Sequence, residues 1–258
     1  MGVSSITDLL ARMFWKVLAL EAIVLLSAMA YLCFVAADHR ALAHAITAQD
    51  PAEVMRRIPQ AGALDERHGD QTYLSFALYQ AFTDRDSVKP GGTPQAGEAI
   101  VQALLDAGAN PNLASGSGTW PLALGIGHGA SMTARLLAAG ADPNRPDSAG
   151  RPVWWEAFSA RSDQGREALA LLLNRGADLS LRHPEGGPVG WATYRKDWVS
   201  VLMLVERGAR LRGESQFGQP VERALADAAQ GHASMGKPIP DEIARLLALA
   251  GMSAPAAP

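Results

Sequence analysis

Two hydrophobic patterns divide the chain. Residues 17–37 form a nearly continuous apolar run in which Glu21 is the only charged residue. After residue 38, short apolar segments alternate with turn residues, chiefly glycine, proline, asparagine and aspartate. A long apolar run is typical of a transmembrane helix, whereas short apolar segments closed by glycine are typical of packed helices. The pattern therefore predicts one long apolar helix followed by many short ones.

The apolar run is just long enough to cross a bilayer, since a spanning helix needs about 20 apolar residues. Aromatic residues near its two ends, such as Trp15 and Tyr31, suit the membrane interfaces. We predict a short cytoplasmic tail at residues 1–16 and a transmembrane signal anchor at residues 17–37. A cleavable signal peptide, cut after Ala30 or Ala37, is the alternative.

The charges beside the apolar run predict its orientation. Arg12 and Lys16 precede the run, and Asp38 follows it. Positive charges favour the cytoplasmic side of a membrane. In a Gram-negative bacterium, this orientation makes the protein a single-pass protein of the inner membrane with the rest of the chain in the periplasm.

A short sequence element recurs in the second part of the chain. The segments LLDAGANPN, LLAAGADPN, LLNRGAD and LVERGAR have their glycines 32, 36 and 32 residues apart. A second marker, a proline followed by leucine or valine, is spaced by 31, 36 and 32 residues. The four prolines are Pro121, Pro152, Pro188 and Pro220. Two markers that keep nearly the same spacing indicate an internal repeat.

These segments resemble ankyrin repeats, which are about 33 residues long and begin Thr-Pro-Leu-His-x-Ala. The best match to that start is TYLSFA, beginning at Thr72. The resemblance covers about residues 39–252, and most other repeats lack the threonine and histidine and hence their hydrogen bonds. It implies an all-α solenoid of about six helix pairs at residues 38–252, with His39 to Gly62 as the N-terminal cap. Residues 253–258 are predicted to form a disordered tail.

The repeat markers have physical roles. The leucine pair buries the second helix of each pair, and the glycine closes that helix in a left-handed conformation. The following Asp or Asn hydrogen-bonds the turn backbone, and the proline starts the first helix. A small residue three positions after the leucine or valine permits close helix packing: Ala77, Gly125, Ala192 and Ala224. Two insertions, Asp84 to Pro94 and Gly231 to Pro240, are predicted to be loops within a pair.

Nothing in the chain points to catalysis or to a cofactor. It has no Gly-x-Ser-x-Gly, His-Glu-x-x-His, Walker or Rossmann motif. Cys33 is the only cysteine, and His128 lies in a Gly-His-Gly turn rather than in a metal-ligand pattern. The net charge of −3 does not suit nucleic acid. We expect no enzyme activity, cofactor, metal, nucleic-acid ligand or small-molecule substrate.

Aromatic residues crowd three adjacent repeats and form the candidate partner-binding site. We expect Trp155 and Trp191 to be equivalent, one residue before a small alanine, with Phe76 and Leu124 at the same position elsewhere. Core packing is the alternative role for these side chains, whereas Trp and Tyr also dominate binding hot spots. For Trp198, the alternative role is to open a second helix and pack there. The candidate residues are Trp120, Trp154, Trp155, Trp191, Tyr194 and Trp198.

The sequence thus predicts a membrane-anchored, periplasmic protein that binds one partner protein. The resemblance implies that the concave helix face and the fingertip loops carry the binding. Two narrower hypotheses stay open. One is an immunity or accessory protein that neutralises a secreted bacterial toxin or phospholipase, and the other is a periplasmic stress-protection protein linked to peroxide and catalase.

Overall fold

Helices form all the regular structure in the part of the chain that the structure describes. The structure, a computed structural model, describes residues 39–67, 69–83, 94–147, 149–159, 162–181, 186–211 and 219–255. The helices are α1 (39–47), α2 (Pro51–Arg57), α3 (Tyr73–Thr83), α4 (Pro94–Asp106), α5 (Pro121–His128), α6 (Ala130–Ala138), α7 (Trp154–Ser159), α8 (Ser162–Asn174), α9 (Pro188–Tyr194), α10 (Trp198–Glu206), α11 (Val221–Ser234) and α12 (Asp241–Ala250). A 3-10 turn, Ile58–Gln60, follows α2.

These helices form six consecutive pairs in two layers. The helices α3, α5, α7, α9 and α11 pack one against the next as a layer of first helices. The helices α2, α4, α6, α8, α10 and α12 pack in the same order as a layer of second helices. Each first helix from α3 onward also packs against the second helix of its own pair. The predicted solenoid of six helix pairs is confirmed for the described residues.

The leucine pairs lie in the core between the layers. Leu104, Leu136, Leu172 and Leu204 are fully buried, and the leucines that follow the first three are at most 9% exposed. Burying one leucine side chain stabilises a fold by about 1.5–3 kcal/mol. The repeated pair therefore supplies one continuous hydrophobic core along the solenoid.

The glycine after each leucine pair ends its helix as predicted. Gly108, Gly140, Gly176 and Gly208 have φ between +79° and +93°, a region in which a Cβ is strained. The next residue donates its backbone N–H to the first leucine of the pair, for example Ala141 to Leu136 O at 2.9 Å. This arrangement satisfies a carbonyl that the helix end leaves without a partner.

Asparagine side chains link neighbouring repeats beyond these turns. Asn112 donates its side-chain amide to Gly140 O and accepts the N–H of Asp142, both at 2.8 Å. Asn144 makes the same two bonds one repeat later, to Gly176 O at 3.1 Å and from Asp178 N–H at 2.6 Å. We call these bonds the asparagine ladder. The ladder stops at residue 180, where serine replaces asparagine.

The helix starts follow the sequence signals. Asp50 caps α2 by accepting the N–H of Glu53 at 3.0 Å, and Thr72 accepts the N–H of Ser75 at 3.2 Å. No side chain caps α5 or α9, where Trp120 and Gly187 replace the threonine. The predicted absence of the threonine hydrogen bond is therefore confirmed at these two positions.

A buried polar contact ties the first pair to the second. His39 Nδ1 lies 2.6 Å from the Tyr73 hydroxyl, and the two rings stack with centroids 6.0 Å apart. Burial, together with the nearby charge of Glu66, raises the pKa of Tyr73 to about 12. The phenol therefore remains neutral and keeps its hydrogen bonds at physiological pH.

Three predictions about the first helices were wrong. Helix α7 starts at Trp154 after two tight turns of backbone, so its buried small residue is Ala157, and Trp155 lies two positions before that alanine rather than one. Gly231 lies inside α11, which continues to Ser234, so the predicted loop at this insertion is shorter. In α11, moreover, Ala224 is only half-buried, and Leu225 occupies the core.

Several predicted segments lie outside the described residues. They are the tail at residues 1–16, the signal anchor at residues 17–37, residues 84–93 of the first insertion, and residues 256–258 of the tail. Within the described ranges, no helix is both long enough and apolar enough to span a bilayer.

The second leucines of two leucine pairs, Leu137 and Leu173, are buried, as the repeat pattern predicted.

Candidate functional site

The first helices expose one face of the solenoid. On the first helices α3, α5, α7 and α9, two positions reach the surface at least in part. One is the residue just before the buried small residue, and the other is the residue two positions after it. We call this surface the first-helix face. Its residues are Phe76, Tyr79, Leu124, Gly127, Glu156, Ser159, Trp191 and Tyr194.

Aromatic side chains concentrate at one end of this face, where Trp155 lies beside the face residues Trp191 and Tyr194. The rings of Trp155 and Trp191 meet edge to face with centroids 3.9 Å apart. Trp191 also meets Tyr194 edge to face at 5.8 Å, and Tyr194 is 56% exposed. These three residues, which we call the aromatic cluster, bridge the adjacent helices α7 and α9. The arrangement presents a large amphipathic surface whose rings support one another.

The other candidate residues lie elsewhere. Trp154 is 1% exposed and packs edge to face on Phe158, so we assign it to the core and exclude it from the binding surface. Trp198 opens α10 in the layer of second helices and packs partly against the core. Trp120 precedes α5, where its indole N–H donates to Pro146 O at 2.6 Å. The structure thus brings together three of the six candidates.

Glu156 is a residue of the face that the sequence prediction missed. It lies just before Ala157, the position that Trp191 occupies before Ala192. Because α7 is shifted by one residue, Glu156 rather than Trp155 aligns with Phe76, Leu124 and Trp191. Burial raises the pKa of the Glu156 carboxyl, partly offset by the positive charge of Arg151. The sequence could have indicated this position, because Glu156 is the only Asp, Glu, Lys or Arg residue in the helices α3, α5, α7 and α9.

Charged residues lie at the start of α7, beside Glu156. Arg151 and Asp147 form an ion pair with Nε and Oδ2 2.6 Å apart. Desolvation of Asp147 is outweighed by hydrogen bonds from Arg151 and Ala149, which lower its pKa. The guanidinium of Arg145 lies 4.2 Å above the Trp120 ring. These contacts hold the loop before α7 against the start of α5.

His128 has a structural contact at the end of α5. Its Nε2 lies 2.8 Å from Leu78 O on the neighbouring helix α3. Gly129 follows it with φ of +112°, as a tight turn into α6 requires. In the part of the chain that the structure describes, no group of three His, Cys, Asp or Glu residues could hold a metal ion. The geometry agrees with the predicted role of His128 in a turn.

Comparison with known proteins gives the class of fold. No family model matches the chain, and no curated protein matches it. A solved structure of the ankyrin repeat domain of Bcl-3, a member of the IκB protein family, is similar with a TM-score of 0.60 and 20% identity over 83% of this chain and 86% of that chain. The ankyrin repeat protein EF0377 is similar with a TM-score of 0.58 and 20% identity over 81% of this chain and 96% of that chain.

The chain therefore has the ankyrin-repeat fold, as its resemblance to ankyrin repeats predicted. Repeat solenoids of this kind provide extended surfaces for binding other proteins. The fold itself leaves the bound partner open, because function lies in the particular residues that a fold displays.

Proposed function

We propose that this protein is a membrane-anchored binding protein that holds one partner protein on its first-helix face. The observation that supports the proposal is the aromatic cluster of Trp155, Trp191 and Tyr194 on two adjacent first helices. Trp and Tyr contribute most of the energy at many protein interfaces. Binding, rather than catalysis, is therefore the function that this surface suits best.

The exposed tyrosines provide a matched test of this proposal. Tyr194 and Tyr79 are 56% and 48% exposed and lie at the same position of α9 and α3, two residues after the buried alanine. Only Tyr194 belongs to the aromatic cluster. We expect Tyr194→Ala to weaken partner binding by about 2 kcal/mol, roughly thirtyfold, because it removes a hot-spot ring. Tyr79→Ala should change the affinity much less.

The measurement has two stages. The partner is first captured with the full-length protein from the compartment in which the repeats reside, and is then titrated against each variant by calorimetry. Circular dichroism checks that both variants are folded. Equal affinities for the two variants would contradict the assignment and direct attention to the fingertip loops, such as residues 112–119.

The location that we propose is the bacterial inner membrane, with the repeats in the periplasm. It is supported by the apolar run at residues 17–37 and by the basic residues Arg12 and Lys16 before it. An alkaline phosphatase fused after Arg40 should be active, and a cytoplasmic reporter at that site should be inactive. The reverse pattern would refute this orientation. A mature N-terminus at Tyr31 or Asp38 would show that the run is a cleaved signal peptide.

The identity of the partner would narrow the function further. A toxin or phospholipase on the first-helix face would make the protein an immunity or accessory protein. A catalase there would make it a stress-protection protein.

A further inference from the structure

One charged residue lies on the otherwise uncharged first-helix face, beside the charged loop that precedes α7. Among the Asp, Glu, Lys and Arg residues of the chain, only Glu156 lies in the helices α3, α5, α7 and α9. At the equivalent positions, α3, α5 and α9 carry Phe76, Leu124 and Trp191. Placing a carboxylate among such groups costs free energy unless an opposite charge or a hydrogen bond compensates it.

The cations near Glu156 have other partners. Arg151 directs its Nε to Asp147, and Arg145 donates Nη1 to Asn112 O at 3.0 Å while its guanidinium covers Trp120. Among the described residues, the Glu156 carboxylate accepts no side-chain hydrogen bond; Arg151 and Asp147 act on it only through their charges, which oppose each other. The structure thus holds a partly desolvated carboxylate on the face where a partner would lie.

We infer that the bound segment is a polypeptide carrying a lysine or arginine whose cationic head pairs with Glu156. This inference rests on the proposed binding function and specifies the chemistry of the partner. The apolar stem of such a side chain would pack along Leu124 or Trp191, which hold the equivalent positions on the neighbouring helices α5 and α9, since long basic side chains bury their stems on apolar surfaces. Aromatic rings also attract the cationic head. Apolar residues on either side of the basic residue suit Leu124 and the aromatic cluster.

The chemistry of the partner can be tested before the partner is known. A random peptide library displayed on phage is selected against the full-length protein in nanodiscs and, in parallel, against Glu156→Gln and Glu156→Lys. We expect wild type to select peptides with a basic residue at one fixed position between apolar residues. Glu156→Gln should lose the basic preference and keep the apolar one, and Glu156→Lys should select an acidic residue there.

An affinity measurement then isolates the charge pair. Replacing the basic residue of the selected peptide with norleucine should weaken binding to wild type by about tenfold or more, because a desolvated charge loses its partner. The same replacement should have little effect on binding to Glu156→Gln. A non-additive loss of this kind is expected when the two groups contact each other directly.

The outcomes distinguish the inference from the function on which it rests. Two results would overturn the inference alone. In the first, the selected peptides depend on Tyr194 but lack a basic residue. In the second, the peptides selected against Glu156→Gln still carry the basic residue. Failure of wild type to select any common sequence, or selection unaffected by Tyr194→Ala, would contradict the binding function on this face as well.

Discussion

Glu156 illustrates how one side chain can weaken the fold that carries it. Burial raises its pKa, so the folded chain binds a proton at this site more readily than the unfolded chain does. Its contribution to stability is therefore greatest at low pH and is lost as the pH rises through the folded-state pKa. At neutral pH the ionised carboxylate disfavours folding, as is common for residues retained for binding.

The first prediction follows from the raised pKa of Glu156. Glu156→Gln should raise the free energy of unfolding at pH 7 by a small amount, about 0.5 kcal/mol or less, as for a substitution on a partly exposed surface. The gain should vanish near pH 4, where the native carboxyl is largely protonated. Urea unfolding of the domain from residue 38 at both pH values measures the difference. The charged groups beside this site are Arg145, Asp147 and Arg151.

Glu167→Gln, at an exposed position of α8, is the matched control and should show no such gain. A loss of more than about 1 kcal/mol for Glu156→Gln at pH 7 would mean that the carboxylate stabilises the fold through Arg151. That result would also count against its role in recognising a partner.

Two helical glycines differ in the space around them. A Cβ added to Gly125 in α5 would collide with Cδ1 of Leu136, a fully buried side chain. A Cβ added to Gly231 in α11 would meet nothing within 4 Å. The same substitution therefore has opposite consequences in two helices of the same layer.

We predict that Gly125→Ala destabilises the domain by about 1–3 kcal/mol, because overpacking exceeds the gain in helix propensity. Gly231→Ala should stabilise it by about 0.5–1 kcal/mol, because alanine favours the helix and nothing obstructs it. Denaturant unfolding measures both changes. A destabilising effect of Gly231→Ala would indicate that this residue lies in a turn, as the sequence pattern suggested.

The sequence predicted most helix ends but missed which residues of α7 and α11 face the core. Glycine and proline mark ends because their backbone constraints are local, and Gly140 and Pro121 lie where their repeat position predicts. The phase of α7 depends instead on which of two adjacent tryptophans enters the core. Trp154 is buried and Trp155 is half-buried, a choice made by packing against neighbouring helices. The four-residue spacing of Leu225, Ala229 and Ala233 could have revealed that α11 continues past Gly231.

The asparagine ladder joins the second helix pair to the third and the third to the fourth, but it does not reach the fifth. Asn144 makes two hydrogen bonds to the following repeat, whereas Ser180 bonds within its own turn through Asp178. Stability in a solenoid depends on the contacts between neighbouring repeats. At the junction of the fourth and fifth pairs, among the described residues, α7 packs against α9 and α8 against α10, and Arg207 donates a hydrogen bond to Asn174 Oδ1 at 2.7 Å.

We predict that Asn144→Ala costs about 1–2 kcal/mol, since a net hydrogen bond contributes about 0.5–1.5 kcal/mol. Ser180→Ala, which removes no hydrogen bond between repeats among the described residues, should cost less. Hydrogen exchange followed by mass spectrometry should show faster exchange in α7 to α12 of the Asn144 variant, with little change in α3 and α4. Uniformly faster exchange would mean that the repeats unfold only together.

The asparagine ladder also makes the length of this protein adjustable. Residues 113–144 begin after one ladder asparagine and end with the next, so they form a unit of 32 residues. A second copy placed after Asn144 would recreate the native junction Asn112–Leu113, with an identical dipeptide at the join. Because each repeat contacts only its neighbours, the rest of the chain would keep its contacts. Tandem duplication of one gene segment would thus lengthen the binding face by one helix while Trp155 and Trp191 stayed side by side.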